Sequence, residues 1–163
     1  MNKKKEAVLS HIDEHEKASM VDVHEKNITK RIAIASSKVF LNDTSYKLLK
    51  KNKSKKGDIL NTARIAGIMA SKKTSELIPL CHQLNLEKVD INYNFLESEN
   101  CIIVKSTSIA SDKTGVEMEA LVATTIASLT IYDMLKAVDK KIKISDIWLD
   151  YKDGGRSGKF VRD

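Results

Sequence analysis

The sequence is poor in the residues that interrupt regular structure or cross-link a chain. Its 163 residues include one proline, six glycines and two cysteines, which excludes collagen-like and low-complexity classes. Cys81 and Cys101 lie far apart and neither belongs to a C-x-x-C pair, so we expect two reduced thiols rather than a disulfide framework. With 42% hydrophobic residues, the chain can bury the core of one domain without cross-links.

Long apolar runs are also lacking. None approaches the roughly 18 residues needed to cross a bilayer, and the basic residues 1–5 are not followed by an apolar segment. We therefore expect a cytoplasmic protein without a membrane partner. The 28 Lys and Arg against 22 Asp and Glu give a net charge of +6. That excess favours anionic partners, but a lysine-rich solvated surface explains it equally well.

The apolar periodicity divides the chain into an arm and one domain. Residues 1–19 are polar and predict a mobile N-terminal arm, whereas residues 20–163 predict a single domain with a flexible basic C-terminal tail at 154–159. Strands are predicted over 31–41, 89–95, 101–109 and 142–149, and helices over 46–50, 59–72 and 114–136. Residues 42–45 form a cluster of N-cap residues before the first helix, and Asp58 is predicted to cap the second. The order β-α(α)-β-β-α-β predicts an α+β, ferredoxin-like fold, an antiparallel sheet with helices on one face.

The long predicted helix carries polar groups at both ends. Thr114 and Glu117 have the spacing of a capping box, which would account for Glu117. Asp133 and Lys136 are spaced i,i+3, which fits either a surface ion pair or a semi-buried pair with shifted pKa values. The buried face is predicted from the large side chains: Leu121, Val122, Thr125, Ile126, Leu129, Tyr132 and Leu135.

Two loops carry further candidates. Pro79 denies Ile78 the helical region, so His82 follows a fixed turn, where it is either functional or a surface histidine. Cys81 in that turn is more typical of a small buried hydrophobe than of a nucleophile. Lys56 comes just before a predicted helix start, where it could bind phosphate or simply belong to a basic loop. Glu119 has no local explanation and could accept hydrogen bonds from a guanine-like edge.

No metal site or phosphate loop is predicted. His11 and His15 have i,i+4 spacing but neither a helical pattern nor a third ligand, and adjacent Cys and His residues fit one tetrahedral ion poorly. Residues 154–159 lack the spacing of a phosphate loop, and Phe160 stands where Ser or Thr would bind magnesium. A frayed terminus and a glycine-rich segment that folds over a phosphate both stay open for this tail.

Five ordered stretches together resemble the cyclic pyranopterin monophosphate synthase family of molybdenum cofactor biosynthesis. The resemblance covers the chain from about residue 20 to 159. Its stretches are MVDV at 20–23, KGD at 56–58 with TARIAG at 62–67, LIPLCH at 77–82, KTGVEMEAL at 113–121 and LTIYDM at 129–134.

The resemblance implies an activity, an assembly and a site. The family converts 3′,8-cyclo-7,8-dihydroguanosine 5′-triphosphate into cyclic pyranopterin monophosphate and releases pyrophosphate. It assembles as a homohexamer, a trimer of dimers with active sites between subunits, and it implies no resident cofactor. The catalytic positions fall on Asp133, Lys56 and Lys136. The substrate-binding positions fall on Leu80, Cys81, His82, Met118 and Glu119, with Glu117 and Lys152 as further pocket positions.

The sequence departs from the family pattern at one position, and two other functions remain as alternatives. Gln83 stands where the family usually has proline, which loosens the turn and restores an N–H donor. An RNA-binding module has the same element order and basic charge. It would need base-stacking aromatic residues, which residues 101–109 lack. A regulatory nucleotide-binding domain without catalysis is the second rival.

Overall fold

The main strands and helices follow one another in the predicted order. The computed structural model describes residues 11–12, 15–51, 57–156 and 158–163. The strands are β1 (Thr29–Phe40), β2 (Leu86–Leu96), β3 (Cys101–Asp112), β4 (Lys143–Asp153) and β5 (Phe160–Val161). The helices are α1 (Asp43–Lys50), α2 (Ile59–Ser71), α3 (Thr74–Leu77) and α4 (Glu117–Leu135).

The strands form one antiparallel sheet in the order β2-β3-β1-β4-β5. The β1–β3 register runs without a break from Thr29 opposite Asp112 to Phe40 opposite Cys101. The first four strands confirm the ferredoxin-like prediction, and the helices pack on one side of the sheet. The strand β5 was not predicted; its Phe160 pairs with Lys152 and its Val161 with Tyr151. The flexibility of that tail stays a prediction.

Helix α4 packs closely on the sheet because its inward face carries mainly small side chains. The predicted buried face is wrong in part: Leu129 is 49% exposed, and Thr125 and Tyr132 are only half-buried. The buried positions are Glu119, Ala120, Val122, Ala123, Thr124, Ala127, Ser128, Ile131 and Leu135. Small residues let the helix backbone approach the strands, and their short hydroxyls can find partners there, which the large apolar pattern did not indicate.

Hydroxyl hydrogen bonds join α4 to the two central strands. Thr124 Oγ1 donates to Ser106 Oγ at 2.7 Å, and Ser106 Oγ lies 2.6 Å from the carbonyl oxygen of Ala120. Ser37 Oγ and Ser128 Oγ are 2.7 Å apart. All of these hydroxyls are buried, so the contacts satisfy groups that would otherwise cost free energy. They fix how α4 lies along the sheet.

Gly67 allows α2 to cross α4 at short range. A Cβ atom at this position would lie 2.6 Å from the carbonyl oxygen of Ala123 and would collide with the side chain of Ile91. Glycine is therefore required by close packing rather than by backbone conformation. The two helices and the sheet enclose the main core cluster, which includes Ile59, Ile131 and Leu135.

Helix α4 is long and apolar enough to cross a bilayer, judged by length and composition alone, with a mean hydropathy of 1.3. Half of that segment is buried inside the protein. Core helices of soluble proteins have the same properties, so this feature gives no support to a membrane span.

The starts of α1 and α2 confirm the predicted caps. The Asn42 side chain accepts from the Ser45 N–H, and Asp58 accepts from the Asn61 N–H, both at 2.8 Å. Asp139, which is 4% exposed, accepts from the Asn42 N–H at 2.8 Å and the Ser45 hydroxyl at 2.9 Å. Burial favours its neutral form, but these bonds and that from the Lys141 N–H outweigh burial and hold the pKa of Asp139 below its ordinary value.

Asp139→Asn should lower the free energy of unfolding by about 1–3 kcal/mol at pH 7, because buried donors lose their carboxylate. A carboxylate whose pKa is lowered by folding stabilises the folded state at pH values above its unfolded-state pKa. That stabilisation is lost as the pH falls through the folded-state pKa. The difference in free energy of unfolding between Asp139→Asn and wild type should therefore become smaller below about pH 4. Urea unfolding at pH 7 and pH 3 measures it, with exposed Asp43→Asn as control. The same difference in free energy of unfolding at both pH values would contradict a stabilising role for the Asp139 carboxylate.

Candidate functional site

The proline-fixed turn lies between α3 and β2. Ile78 is extended (φ −114°, ψ 109°), as expected for a residue before proline. The Cys81 N–H donates to the Ile78 carbonyl oxygen at 3.1 Å, which closes the turn. Leu80, Cys81 and His82 are all half-buried. The predicted turn is confirmed, and it places these three side chains beside the first turn of α4.

The start of α4 differs from the predicted capping box. Val116 is the N-cap residue and no side chain caps the helix. The Glu117 carboxylate instead accepts from Lys152 Nζ of β4 at 2.8 Å, with both side chains about a quarter exposed. A cation from a neighbouring strand thus replaces the local partner, which sequence spacing could not reveal. The N–H groups of the first helical turn lie beside the two cavities described next.

A cavity of about 380 Å³, called here the turn cavity, brings most of the predicted binding residues together. Leu80, Cys81 and His82 form one wall, and Glu117, Met118 and Glu119 form the other. His11 also lines it, from the segment predicted to be a mobile arm. The described part of that arm forms an isolated bridge between Ile12 and Ala18; its mobility stays a prediction.

Glu119 is the most unusual acid of the turn cavity. It is 3% exposed, and burial raises its pKa to about 7; the charges of Glu117 and Asp112 act in the same direction, while its own backbone N–H opposes them. Near neutral pH the carboxyl group can therefore either donate or accept a proton in a hydrogen bond. Cys81 is a poor nucleophile here, because burial and then Glu119 raise the pKa of its thiol.

A second cavity of about 550 Å³, called here the basic cavity, continues from the turn cavity. Both are lined by Lys26, Thr114, Gly115 and Glu117. Four cations among the described residues line the basic cavity: Lys26, Arg31, Lys113 and Arg156. None of them was predicted from the sequence to be a site residue. The sequence predicted only that Arg31 belongs to a strand. Its burial beside a cavity is seen only in the folded chain.

Asp133 and Lys136 lie at the opposite end of α4. Lys136 Nζ is 2.7 Å from Asp133 Oδ1, and both side chains are more than half exposed. Of the two alternatives for this pair, the single chain shows the surface ion pair. The hydrogen bond and charge of Asp133 raise the pKa of Lys136. Glu119 and Lys136 are 17 helical positions apart, about 25 Å along a helix axis. One chain therefore brings only part of the predicted site together.

Lys56 falls outside the described residues, so the structure does not place it. Gly57 and Asp58, which follow it, lead into α2. Among residues 11–12, 15–51, 57–156 and 158–163, no group of three His, Cys, Asp or Glu side chains is arranged to hold a metal ion.

Glu119→Gln should stabilise the folded chain increasingly as pH rises from about 4.5 to 7. A raised folded-state pKa means that ionisation is easier in the unfolded chain, so wild type loses stability over this window while the glutamine variant does not. The difference should reach on the order of 1–3 kcal/mol above pH 7. Urea unfolding across this range measures it, with exposed Glu76→Gln as control. A pH-independent difference would refute the raised pKa.

Comparison with known proteins shows the family of the chain. The model of the MoaC family matches residues 20–155. The cyclic pyranopterin monophosphate synthase of Campylobacter jejuni (strain RM1221) is 51% identical over 154 residues, covering 94% of this chain and 98% of that protein. The enzyme of the same name from Staphylococcus aureus (strain MRSA252) is 48% identical over 157 residues, covering 94% of this chain and 96% of that protein. That of Thermomicrobium roseum is also 48% identical over 157 residues, covering 96% of this chain and 95% of that protein. The chain belongs to the MoaC family.

Proposed function

We propose that this chain is a cyclic pyranopterin monophosphate synthase, a lyase of molybdenum cofactor biosynthesis. It converts 3′,8-cyclo-7,8-dihydroguanosine 5′-triphosphate into cyclic pyranopterin monophosphate and pyrophosphate. Relatives at about 50% identity over most of the chain carry this name. The observation that carries the proposal is the turn cavity, where buried Glu119 faces the Leu80-Cys81-His82 turn.

The turn cavity suits the purine-derived part of this substrate. Glu119 is buried and carries an ionisable carboxyl group near neutrality, so it can accept from ring N–H groups when ionised and donate to a ring carbonyl when protonated. Leu80 and Met118 supply apolar contact, and the His82 ring adds a polar group on the same wall. Few polar groups in a largely apolar cleft fix the orientation of a ligand.

The step that forms the cyclic phosphate needs positioning and charge stabilisation. A sugar hydroxyl oxygen attacks the α-phosphorus, the bond from that phosphorus to its bridging oxygen breaks, and pyrophosphate leaves with the electron pair. The hydroxyl proton passes to a base. Lys56 and Lys136 act as general acid/base and phosphate ligands, and Asp133 holds Lys136 through their 2.7 Å ion pair. These lysines and the anionic substrate account for the reaction without a resident cofactor.

The length of α4 supports an active site between subunits. Glu119 and Lys136 are too far apart on one rigid helix, about 25 Å, to reach the same reacting phosphate. The Asp133–Lys136 pair is also exposed in the single chain, whereas a lysine that works near neutral pH needs burial. Both problems are resolved if Asp133 and Lys136 of one copy complete the turn cavity of another.

Two apolar surfaces favour a homohexamer built as a trimer of dimers. The helix layer exposes Ile65, Met69 and Leu129, by 52%, 59% and 49%. The β4–β5 edge exposes Ile147 and Val161, by 45% and 57%. A closed assembly with two kinds of interface needs two such surfaces.

A cytoplasmic location is proposed together with this assembly.

Lys136→Ala should reduce conversion of the cyclised nucleotide by roughly a hundredfold or more, because a charge-stabilising and proton-transferring group is lost. Pyrophosphate release from 3′,8-cyclo-7,8-dihydroguanosine 5′-triphosphate measures it. Lys140→Ala removes the same charge from an exposed neighbouring position and should stay within about twofold of wild type. Near-normal turnover by Lys136→Ala would disprove the role, and no turnover by wild type would disprove the function.

Inactive variants from the two ends of α4 should complement each other. In a mixed assembly of Glu119→Gln and Lys136→Ala chains, one site of each mixed pair combines an intact Glu119 with an intact Lys136. Random pairing should restore about a quarter of wild-type activity. Co-expression of two differently tagged chains, followed by tandem purification and the pyrophosphate assay, measures this. No activity above that of either variant alone would mean that each site is formed within one chain.

A further inference from the structure

An aspartate is followed directly by a glycine at the end of β4. Asp153-Gly154 is the single Asp-Gly pair of the sequence, which has no Asn-Gly pair. Asp153 is exposed and is the last residue of the strand, where it pairs with Ile32 of β1. Glycine has no side chain to shield its backbone nitrogen. A side-chain carboxyl group can therefore react with the backbone more easily here than at any other aspartate of the chain.

The carboxyl group of Asp153 already touches the nitrogen with which it would react. The Gly154 N–H donates to Asp153 Oδ1 at 2.8 Å. The Tyr151 hydroxyl donates to Oδ2 at 3.2 Å, so each carboxyl oxygen has a hydrogen-bond partner. Because Cγ is bonded to Oδ1, the nitrogen of Gly154 is held near the carbon atom that it would attack.

Another aspartate makes the same contact in a more rigid setting. The Lys113 N–H donates to Asp112 Oδ1 at 2.7 Å. The following residue here carries a long side chain, and the carbonyl oxygens of Asp112 and Lys113 both accept from Arg31 at 3.0 Å. Closing a ring requires the backbone between the two residues to rotate, which these bonds resist. Asp112 is therefore an internal control for Asp153.

We propose that Asp153 is a site of spontaneous isomerisation to isoaspartate, and that this change inactivates the protein. The nitrogen of Gly154 attacks Cγ of Asp153 and loses its proton. One carboxyl oxygen takes up that proton and one from solvent and leaves as water, which gives a five-membered succinimide. Water then opens the ring at either carbonyl carbon. Opening at the former backbone carbonyl gives isoaspartate, so one water leaves, one enters and no oxidant is needed.

The turn after Asp153 has no room for a longer backbone. Isoaspartate inserts one methylene group into the chain, which adds about 1.5 Å. Gly154 and Gly155 have φ of +102° and +78°. A Cβ atom on the first would collide with the Lys30 carbonyl oxygen, and one on the second with Nη1 of Arg31. The longer chain must therefore displace the turn from β1.

This displacement reaches the candidate site through two contacts. Lys152, the residue before Asp153, pairs with Glu117 of α4 at 2.8 Å. Arg31, against which the turn packs, holds the backbone just before α4 through two carbonyl oxygens. Isomerisation therefore disturbs the start of α4 and leaves the main core in place. The loss of turnover rests on the proposed function, whereas the isomerisation does not.

Ageing the full chain for several weeks at neutral pH and physiological temperature tests the modification. Peptide mapping by mass spectrometry with electron-transfer fragmentation distinguishes aspartate from isoaspartate, and it detects the succinimide as a peptide one water lighter. The peptide that contains Asp153 should hold at least about tenfold more isoaspartate than the peptide that contains Asp112. Equal amounts in the two peptides, or none at Asp153, would overturn the proposal.

Asp153→Glu is the matched variant for the loss of activity. It keeps the charge, but its carboxyl group would have to close a six-membered ring, which forms far more slowly. Fresh Asp153→Glu should release pyrophosphate from the cyclised nucleotide within about twofold of the wild-type rate, because the position is exposed. During ageing, wild type should lose activity in proportion to its isoaspartate content, whereas the variant should keep its activity.

Repair of the aged protein separates isomerisation from other damage. Incubation with an isoaspartyl methyltransferase and S-adenosylmethionine should return Asp153 to aspartate and restore the lost activity. Full activity of a chain that carries isoaspartate at Asp153 would overturn the inactivation. No turnover by fresh wild type would contradict the proposed function instead, and the peptide map would still decide whether Asp153 isomerises.

Discussion

The close contact between α4 and the sheet is the constraint on which the rest of the molecule depends. Small side chains such as Ala120, Ala127 and Ser128 bring the helix backbone onto β1 and β3, and buried hydroxyl bonds hold it there. The helix is therefore a rigid rod whose two ends point into different surroundings. Its start borders both cavities, while its end carries the exposed Asp133–Lys136 pair.

This rigidity explains why the single chain brings together only part of the predicted site. Glu119 is buried and protonatable where the substrate ring is proposed to lie, whereas Lys136 is exposed and strongly basic about 25 Å away along the helix. A second copy would supply the missing groups and bury them. Assembly and catalysis would then depend on each other, since a free subunit would bind part of the nucleotide without positioning the groups that transfer protons.

The fold was largely predictable because its strands and helices have strong local patterns. Alternation along β2 and the caps at Asn42 and Asp58 set element types and boundaries. The prediction failed where a contact with a residue distant in sequence determines the structure. Glu117 pairs with Lys152 across the chain rather than with its own helix start. Only some of the large apolar residues of α4 mark its inward face: Leu135 is buried, whereas Leu129 is half exposed. Phe160–Val161 became a strand only because β4 offered an edge.

The sequence by itself determined the order of the main elements, the caps of α1 and α2, the proline turn and, through its ordered motifs, the family. Each of these depends on neighbours within a few residues or on the order of residues along the chain. Only the tertiary structure decided that Glu119 is buried, that Arg31 is buried on the wall of the basic cavity, and that the two ends of α4 lie in different surroundings. Burial, charge pairing and distance arise between segments far apart in sequence, so no local pattern records them.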